Sequence, residues 1–203
     1  MPPRTPRTPR TPRTPRTLYA ALTILVAALT FPGAAAAQGA GAPGAQPSGP
    51  VIQSAGPSFR VDDPTFVVPA SHEFKAVFEI RVGGGDTVKV NEQLVTAARF
   101  YNLHVRHGYA ERQVQAAAVF HGSGWTALLS DAAFAARFGG KPNPSRRLVE
   151  ELLQHGAQLV LCGQTAGRAG VKREELLPGV TVALSAMTAL DFLQSQGFRY
   201  IPW

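Results

Sequence analysis

Cys162 is the only cysteine in the 203-residue chain, and it is the residue with the sharpest chemistry. It ends the apolar run Leu159-Val160-Leu161 and precedes Gly163-Gln164-Thr165, where small and polar residues open a helix. That pattern is a strand-turn-helix junction with a thiol at its apex. The thiolate is the nucleophile in sulfur chemistry, and its pKa falls at a helix N-terminus, where partial positive charge collects. Arg168, Lys172 and Arg173 follow within two or three turns and add cationic field. The chemistry on offer is thiol exchange at sulfur, which runs fastest when the attacking thiol titrates near ambient pH. The bland alternative is a small buried core residue, a frequent fate of free cysteine after an apolar run. A lone cysteine has no disulfide partner in its own chain.

His121 is the second candidate. It follows the apolar run Val114–Phe120 and precedes Gly122-Ser123-Gly124. Ligands of open α/β sheets gather at the carboxyl ends of strands, so His121 stands where a functional residue belongs. The competing role is a histidine that hydrogen-bonds the turn. His104 and His107 lie three apart, a spacing that can share a metal, but no third ligand follows at a telling distance. Gly83-Gly84-Gly85-Asp86 reads as a turn. Asp86 has the wrong charge for a phosphate cradle, and no Lys-Ser/Thr pair follows. There is no Ser/His/Asp arrangement, no pair of carboxylates at telling positions and no Cys/His cluster. No metal or organic cofactor is expected.

The elements that must position these residues follow from periodicity. Phe74–Val82 alternates and is rich in β-formers, so it is a strand. Val90, Leu94, Ala98 and Tyr101 fall on one helical face, giving a helix over roughly Thr87 to Asn102. The strand Val114–Phe120 comes next, then a helix from Trp125 to Phe138 that stops at Gly139-Gly140. Ser145 is placed to cap a helix over Arg146 to His155. The strand Gln158–Leu161 leads to Cys162, followed by helical or turn-rich sequence over Gln164 to Leu177. Val180–Leu184 is a further strand. Ala186 to Gln196 is a helix with Met187, Leu190 and Leu193 inward, and Phe198–Ile201 is a last short strand. This alternation predicts one α/β domain over 74–203, a mostly parallel sheet of about five strands with helices on both faces.

The preceding third of the chain differs in kind. Residues Met1 to Thr17 repeat Arg-Thr-Pro, an extended, solvated pattern. An apolar run from roughly Leu18 to Phe31 and an Ala-rich stretch ending at Ala37 complete the three parts of a secretory signal peptide over 1–37. The apolar run is shorter than the ~20 residues of a membrane span. Export to the periplasm is therefore expected, with no stable membrane span after cleavage. Residues 38–73 read as a Gly/Ala/Pro/Ser/Gln linker, to about Gly56, followed by an irregular arm. In that arm, Phe59, Val61, Phe66, Val67 and Val68 are the residues available to dock. The net charge of +7 includes five leader arginines; without them 15 basic residues face 13 acidic ones. That near-balance gives no support for nucleic-acid binding, which needs a clustered basic surface.

From roughly Phe74 to Trp203 the chain resembles the DsrE/DsrF-like family of sulfur-relay proteins, and more closely its exported branch. The matching stretches are Lys75-Ala76-Val77-Phe78-Glu79, Val119-Phe120-His121-Gly122, Leu161-Cys162-Gly163-Gln164-Thr165, Glu174 to Val180, and Leu193 to Phe198. The resemblance implies a compact α/β domain that assembles into trimers or hexamers. It also implies a strand-end cysteine, here Cys162, that carries sulfur as a persulfide between thiol or persulfide donor and acceptor proteins. His121 matches a histidine seen in many members, and Gly163, Gln164 and Thr165 would support the thiol. The alternative function is a non-catalytic, oligomeric binding or structural protein with Cys162 buried.

Overall fold

A computed structural model describes residues 46–83 and 86–202. The expected signal peptide, the first part of the linker, Gly84, Gly85 and Trp203 lie outside the described residues. The sheet has five parallel strands: β1 (Phe74–Ile80), β2 (Val114–Phe120), β3 (Gln158–Cys162), β4 (Thr181–Ala183) and β5 (Arg199–Tyr200), in the order β4-β3-β2-β1-β5. β2 is central, and its Val-Gln-Ala-Ala-Ala-Val-Phe run is buried at every position but Gln115. That is the mark of a strand covered on both faces. The edge strands β4 and β5 are short and partly exposed.

Period-two alternation divides the side chains between two faces. Ala76, Phe78 and Ile80 of β1, Ala116, Ala118 and Phe120 of β2, and Leu159 and Leu161 of β3 pack into the larger core. Helix α1 (Glu92–Arg106) covers this face with Leu94, Ala97, Ala98 and Tyr101, the i, i+3, i+4, i+7 stripe of an amphipathic helix. Tyr101 places its hydroxyl 3.2 Å from the Ala116 amide, which donates to it. Helices α2 (Asp131–Arg137), α3 (Arg146–Gln154) and α4 (Gly163–Ala169) add Phe134, Leu148, Val149, Leu152 and Ala166 to the same core. The opposite face belongs to α5 (Ala186–Ser195), whose Ala189 and Leu193 meet Val77, Ala117, Val119 and Phe198.

Several element boundaries depart from the periodicity. α1 begins at Glu92 rather than near Thr87, because Asp86 accepts the Val88 and Lys89 amides in a turn and Asn91 is the true cap, accepting the Leu94 amide at 3.0 Å. The helix expected over Trp125 to Phe138 is broken. Gly124–Leu128 is a 3-10 segment, and Ser130 then caps α2. Leu129 bridges to Leu176 and the Ser130 amide donates to Glu175, so a distant segment interrupts the helix. Ser145 does not cap α3; its hydroxyl accepts the Asn91 amide at 3.0 Å instead. Met187 is exposed rather than inward, and Ala189 takes the core position beside Leu193.

Residues 46–73, the described part of the chain before β1, form no regular element but are pinned to α1. Val51, Ile52 and Ala55 are buried, within a stretch whose composition is that of a linker. Of the residues expected to dock, Phe59, Val61, Phe66 and Val67 are exposed and Val68 is half-buried. The anchor is Asn102, which is 0 % exposed. Its Oδ1 accepts the Val51 and Ile52 amides at 3.1 and 2.8 Å. Its Nδ2 donates to the Ile52, Ala55 and Gly56 carbonyls at 2.8, 2.9 and 3.1 Å.

Candidate functional site

Cys162 is the last residue of β3 and the N-cap residue of α4, paired with Ala183 of β4. The chain leaving β3 turns into α4, which joins the α1 side through Ala166. The chain leaving β4 turns into α5, on the opposite side. The carboxyl ends of β3 and β4 therefore form a topological switch point, the crevice where open α/β sheets bind ligands. Gly163 permits the crevice to be this tight. A Cβ there would lie 2.6 Å from the Ala183 carbonyl oxygen and 3.2 Å from that of Leu184. Gln164 ties the two turns together, its Nε2 donating to the Leu184 carbonyl at 3.2 Å.

Opposing influences act on the Cys162 thiol. Burial is the largest and pushes its pKa up. The Thr165 amide and hydroxyl, the Ala186 amide and the Gln164 amide push it down, and together they hold the thiol below its ordinary value. The donors come from the first turns of helices on both sides of the sheet. They stabilise the thiolate more than the thiol, since a charged sulfur is the better acceptor. Cys162 is 5 % exposed and Thr165 is buried, so the sulfur lies just beneath the surface.

His121 follows β2, and its amide donates to the Ile80 carbonyl at 3.0 Å. The last paired residues of β2 and β3 are Phe120 and Leu161, so His121 and Cys162 are the next positions on adjacent strands. Alternation puts both side chains on the α5 face, with Val119 and Val160. The His121 ring is held from the other side: its Nε2 lies 2.9 Å from Glu79 Oε1 on β1. Glu79 Oε2 in turn accepts the Tyr200 hydroxyl of β5 at 2.7 Å. Burial raises the Glu79 pKa, but the Tyr200 and His121 hydrogen bonds and the positive charge of His121 and Arg81 outweigh it, and the carboxyl lies below its ordinary value. The Glu79 bond pushes the Tyr200 phenol up.

Glu79 and Tyr200 were not singled out as site residues by sequence reasoning. The available signal was an acidic residue near the end of an otherwise apolar strand. His104 and His107 lie outside this row, at the end of α1, with His104 against Phe74 at the start of β1. Their Nδ1 atoms donate to the Phe100 and Leu103 carbonyls of their own helix, both at 2.6 Å. His107 Nε2 accepts the Val61 amide at 2.8 Å. Among the described residues, no group of three or more His, Cys, Asp or Glu side chains is placed to hold a metal ion. A cleft of about 420 Å³ lies between the end of β1 and the α2–α3 loop, but neither Cys162 nor His121 lines it. Its polar wall is internally bonded: Asn143 donates to the Ala127 and Leu129 carbonyls and Ser145 accepts from Asn91.

The fold and site define a parallel α/β domain with a lone cysteine at a strand-end switch point. The chain belongs to the DsrE/DsrF-like family, whose model matches residues 77–203. No curated protein matches it. Among solved structures it is similar to the protein of unknown function MTH1491 from Methanobacterium thermoautotrophicum, at 22% identity and a TM-score of 0.47, over 64% of this chain and 100% of that one. The family places the protein in the setting of sulfur relay.

Proposed function

We propose that the protein is an exported persulfide carrier, with Cys162 as the sulfur-bearing residue. The observation that carries this reading is the place of Cys162, the last residue of β3 and the N-cap residue of α4 at the strand-end switch point, where a thiol held below its ordinary pKa meets the crevice. In the loading step the Cys162 thiolate attacks the outer sulfur of a donor persulfide, R–S–SH. A new S–S bond forms on Cys162, the donor S–S bond breaks, and the donor leaves as the thiolate R–S⁻. An acceptor thiolate then attacks the outer sulfur on Cys162 and regenerates the Cys162 thiolate. Neither step changes the overall oxidation level, and neither calls for a metal or organic cofactor.

Incubation with polysulfide or thiosulfate, followed by mass spectrometry of the intact protein, tests this. An adduct of about 32 Da, lost on reduction and absent from Cys162→Ser, is the expected result. No adduct, with thiol reagents also excluded from the native protein, sinks the reading. It would favour instead an oligomeric binding protein in which Cys162 packs the subunit, a second reading supported by the 5 % exposure of Cys162. Export is tested by the mass of the protein recovered from the periplasmic fraction, expected to begin at Gln38. Assembly into a homo-oligomer is part of the proposal, supported by the exposed apolar side chains of Leu184, Met187 and Phe192. Among the described residues, no helix is long and apolar enough to cross a membrane.

A further inference from the structure

Resting on the carrier reading, we infer that Glu79 and Tyr200 are positioning residues that hold the His121 imidazolium as a counter-charge for the Cys162 thiolate. The geometry is a row across the carboxyl end of the sheet. Tyr200 on β5 donates to Glu79 on β1, Glu79 bonds His121 at the end of β2, and Cys162 stands next at the end of β3. All four side chains lie on the α5 face. Val77 and Tyr200 are register partners, which puts Tyr200 on the same face as the Val77, Val119 and Val160 row.

The array is directional. Glu79 has one oxygen on the His121 ring and the other on the Tyr200 hydroxyl, so its carboxylate is fixed in place. That carboxylate lies 2.9 Å from His121 Nε2 and fixes the ring from the β1 side. His121 bonds Glu79 through Nε2, which leaves Nδ1 as its remaining ring nitrogen. The titratable and charged groups around it are few. β1 contributes Glu79, with Arg81 just beyond the strand, β5 contributes Tyr200, and β3 contributes Cys162. β4 contributes none, and α5 turns Ala186, Ala189, Leu190 and Leu193 to this face while Asp191 is exposed. Arg81 also acts on the carboxylate, so the Tyr200 hydroxyl matters as the contact that fixes its direction. A counter-charge beside the thiolate lowers the pH at which Cys162 becomes nucleophilic. It does the same for the bound persulfide, whose outer sulfur is also anionic when deprotonated.

The test is the pH profile of Cys162 alkylation by iodoacetamide, a neutral probe, in the full chain. It is repeated with Glu79→Gln, Tyr200→Phe and His121→Gln. Glu79→Gln should reduce alkylation near neutral pH by about three- to tenfold. Tyr200→Phe should act in the same direction by less. His121→Gln should reduce alkylation by at least as much, after which adding Glu79→Gln should change nothing further. Circular dichroism and thermal melts establish that each variant is folded. Should Glu79→Gln fail to fold, the exposed Tyr200 position and His121→Gln still decide the matter. Superimposable profiles in folded variants overturn the array and leave the carrier reading standing. A wild-type Cys162 that takes neither iodoacetamide nor sulfur overturns the carrier reading, and the array falls with it.

Discussion

Gly163 and Thr165 have separable effects on the thiol. Gly163→Ala replaces a poor helix former by the best one, a gain of up to about 1 kcal/mol. The added Cβ would lie 2.6 Å from the rigid Ala183 carbonyl oxygen, and overpacking of that kind costs about 1–3 kcal/mol. The clash wins, so the variant should be less stable in urea and its thiol less shielded. Thr165→Val keeps the shape but removes the hydroxyl that helps hold the Cys162 pKa down. Below its pKa a thiol reacts in proportion to its thiolate fraction. With one hydrogen bond lost, the alkylation rate near neutral pH should fall about fivefold, and the profile should move to higher pH. An unchanged profile would mean that the hydroxyl does not act on the sulfur. Cys162 and His121 were legible in the sequence because each ends an apolar run, and a strand end in an α/β pattern is a functional position in itself. Glu79 and Tyr200 were not, because they are 121 residues apart and meet only because β5 returns to pair with β1. Strand order is a property of tertiary packing that one chain's periodicity does not carry.

The elements themselves were legible where burial is periodic and illegible where a distant segment intervenes. β2 and β3 begin where alternation and apolar runs put them, since both are fixed by their own side chains. α2 starts late because Leu129 and Ser130 pair with the 175–176 segment, and the arm is ordered because Asn102 reaches out of α1. Asn102→Ala leaves the Val51, Ile52, Ala55 and Gly56 backbone groups unpaired at a buried site. At about 1 kcal/mol for each of the five net hydrogen bonds, the loss should be about 5 kcal/mol. Limited proteolysis should then cut between residues 46 and 58 before the sheet unfolds. The same end of α1 carries a pH dependence. His104 packs on Phe74 and Phe100, with ring centroids 3.9 and 4.6 Å away. Burial, the largest influence, lowers its pKa, with His107 and His72 adding to the effect and the Phe100 carbonyl opposing it. With the folded value depressed, the unfolded chain binds the proton first, so stability falls as pH drops through the ordinary histidine range and levels off below the folded pKa. His104→Leu should flatten this part of a plot of melting temperature against pH. A slope that persists undiminished would assign it to other groups.

At the scale of the whole molecule, the two faces of the sheet are unequally covered. Four helices and the arm lie on the α1 side, while α5 alone covers the other. α5 reads Ala-Met-Thr-Ala-Leu-Asp-Phe-Leu-Gln-Ser, apolar around much of its circumference, and a helix of that character is normally buried. Instead Met187 is 79 % exposed, Phe192 61 % and the preceding Leu184 74 %. Sequence periodicity put Met187 inward because it treats every apolar position as core. The small Ala189 lets α5 approach the sheet closely, and Met187 is left outside. If this surface is the oligomer contact, Met187→Glu and Phe192→Glu should disperse the assembly. Each removes a side chain worth about 1.5–3 kcal/mol when buried and adds a charge that resists desolvation. Together they should weaken association by more than about a hundredfold. Sedimentation velocity at matched concentrations reads this directly. The subunit's own circular dichroism should be unchanged, because neither side chain belongs to the core. The mouth of the Cys162 crevice adjoins the same surface, since Ala183 pairs with Cys162 and Leu184 follows it. A wild-type chain that sediments as a monomer at high micromolar concentration would exclude self-association as the cover for this face.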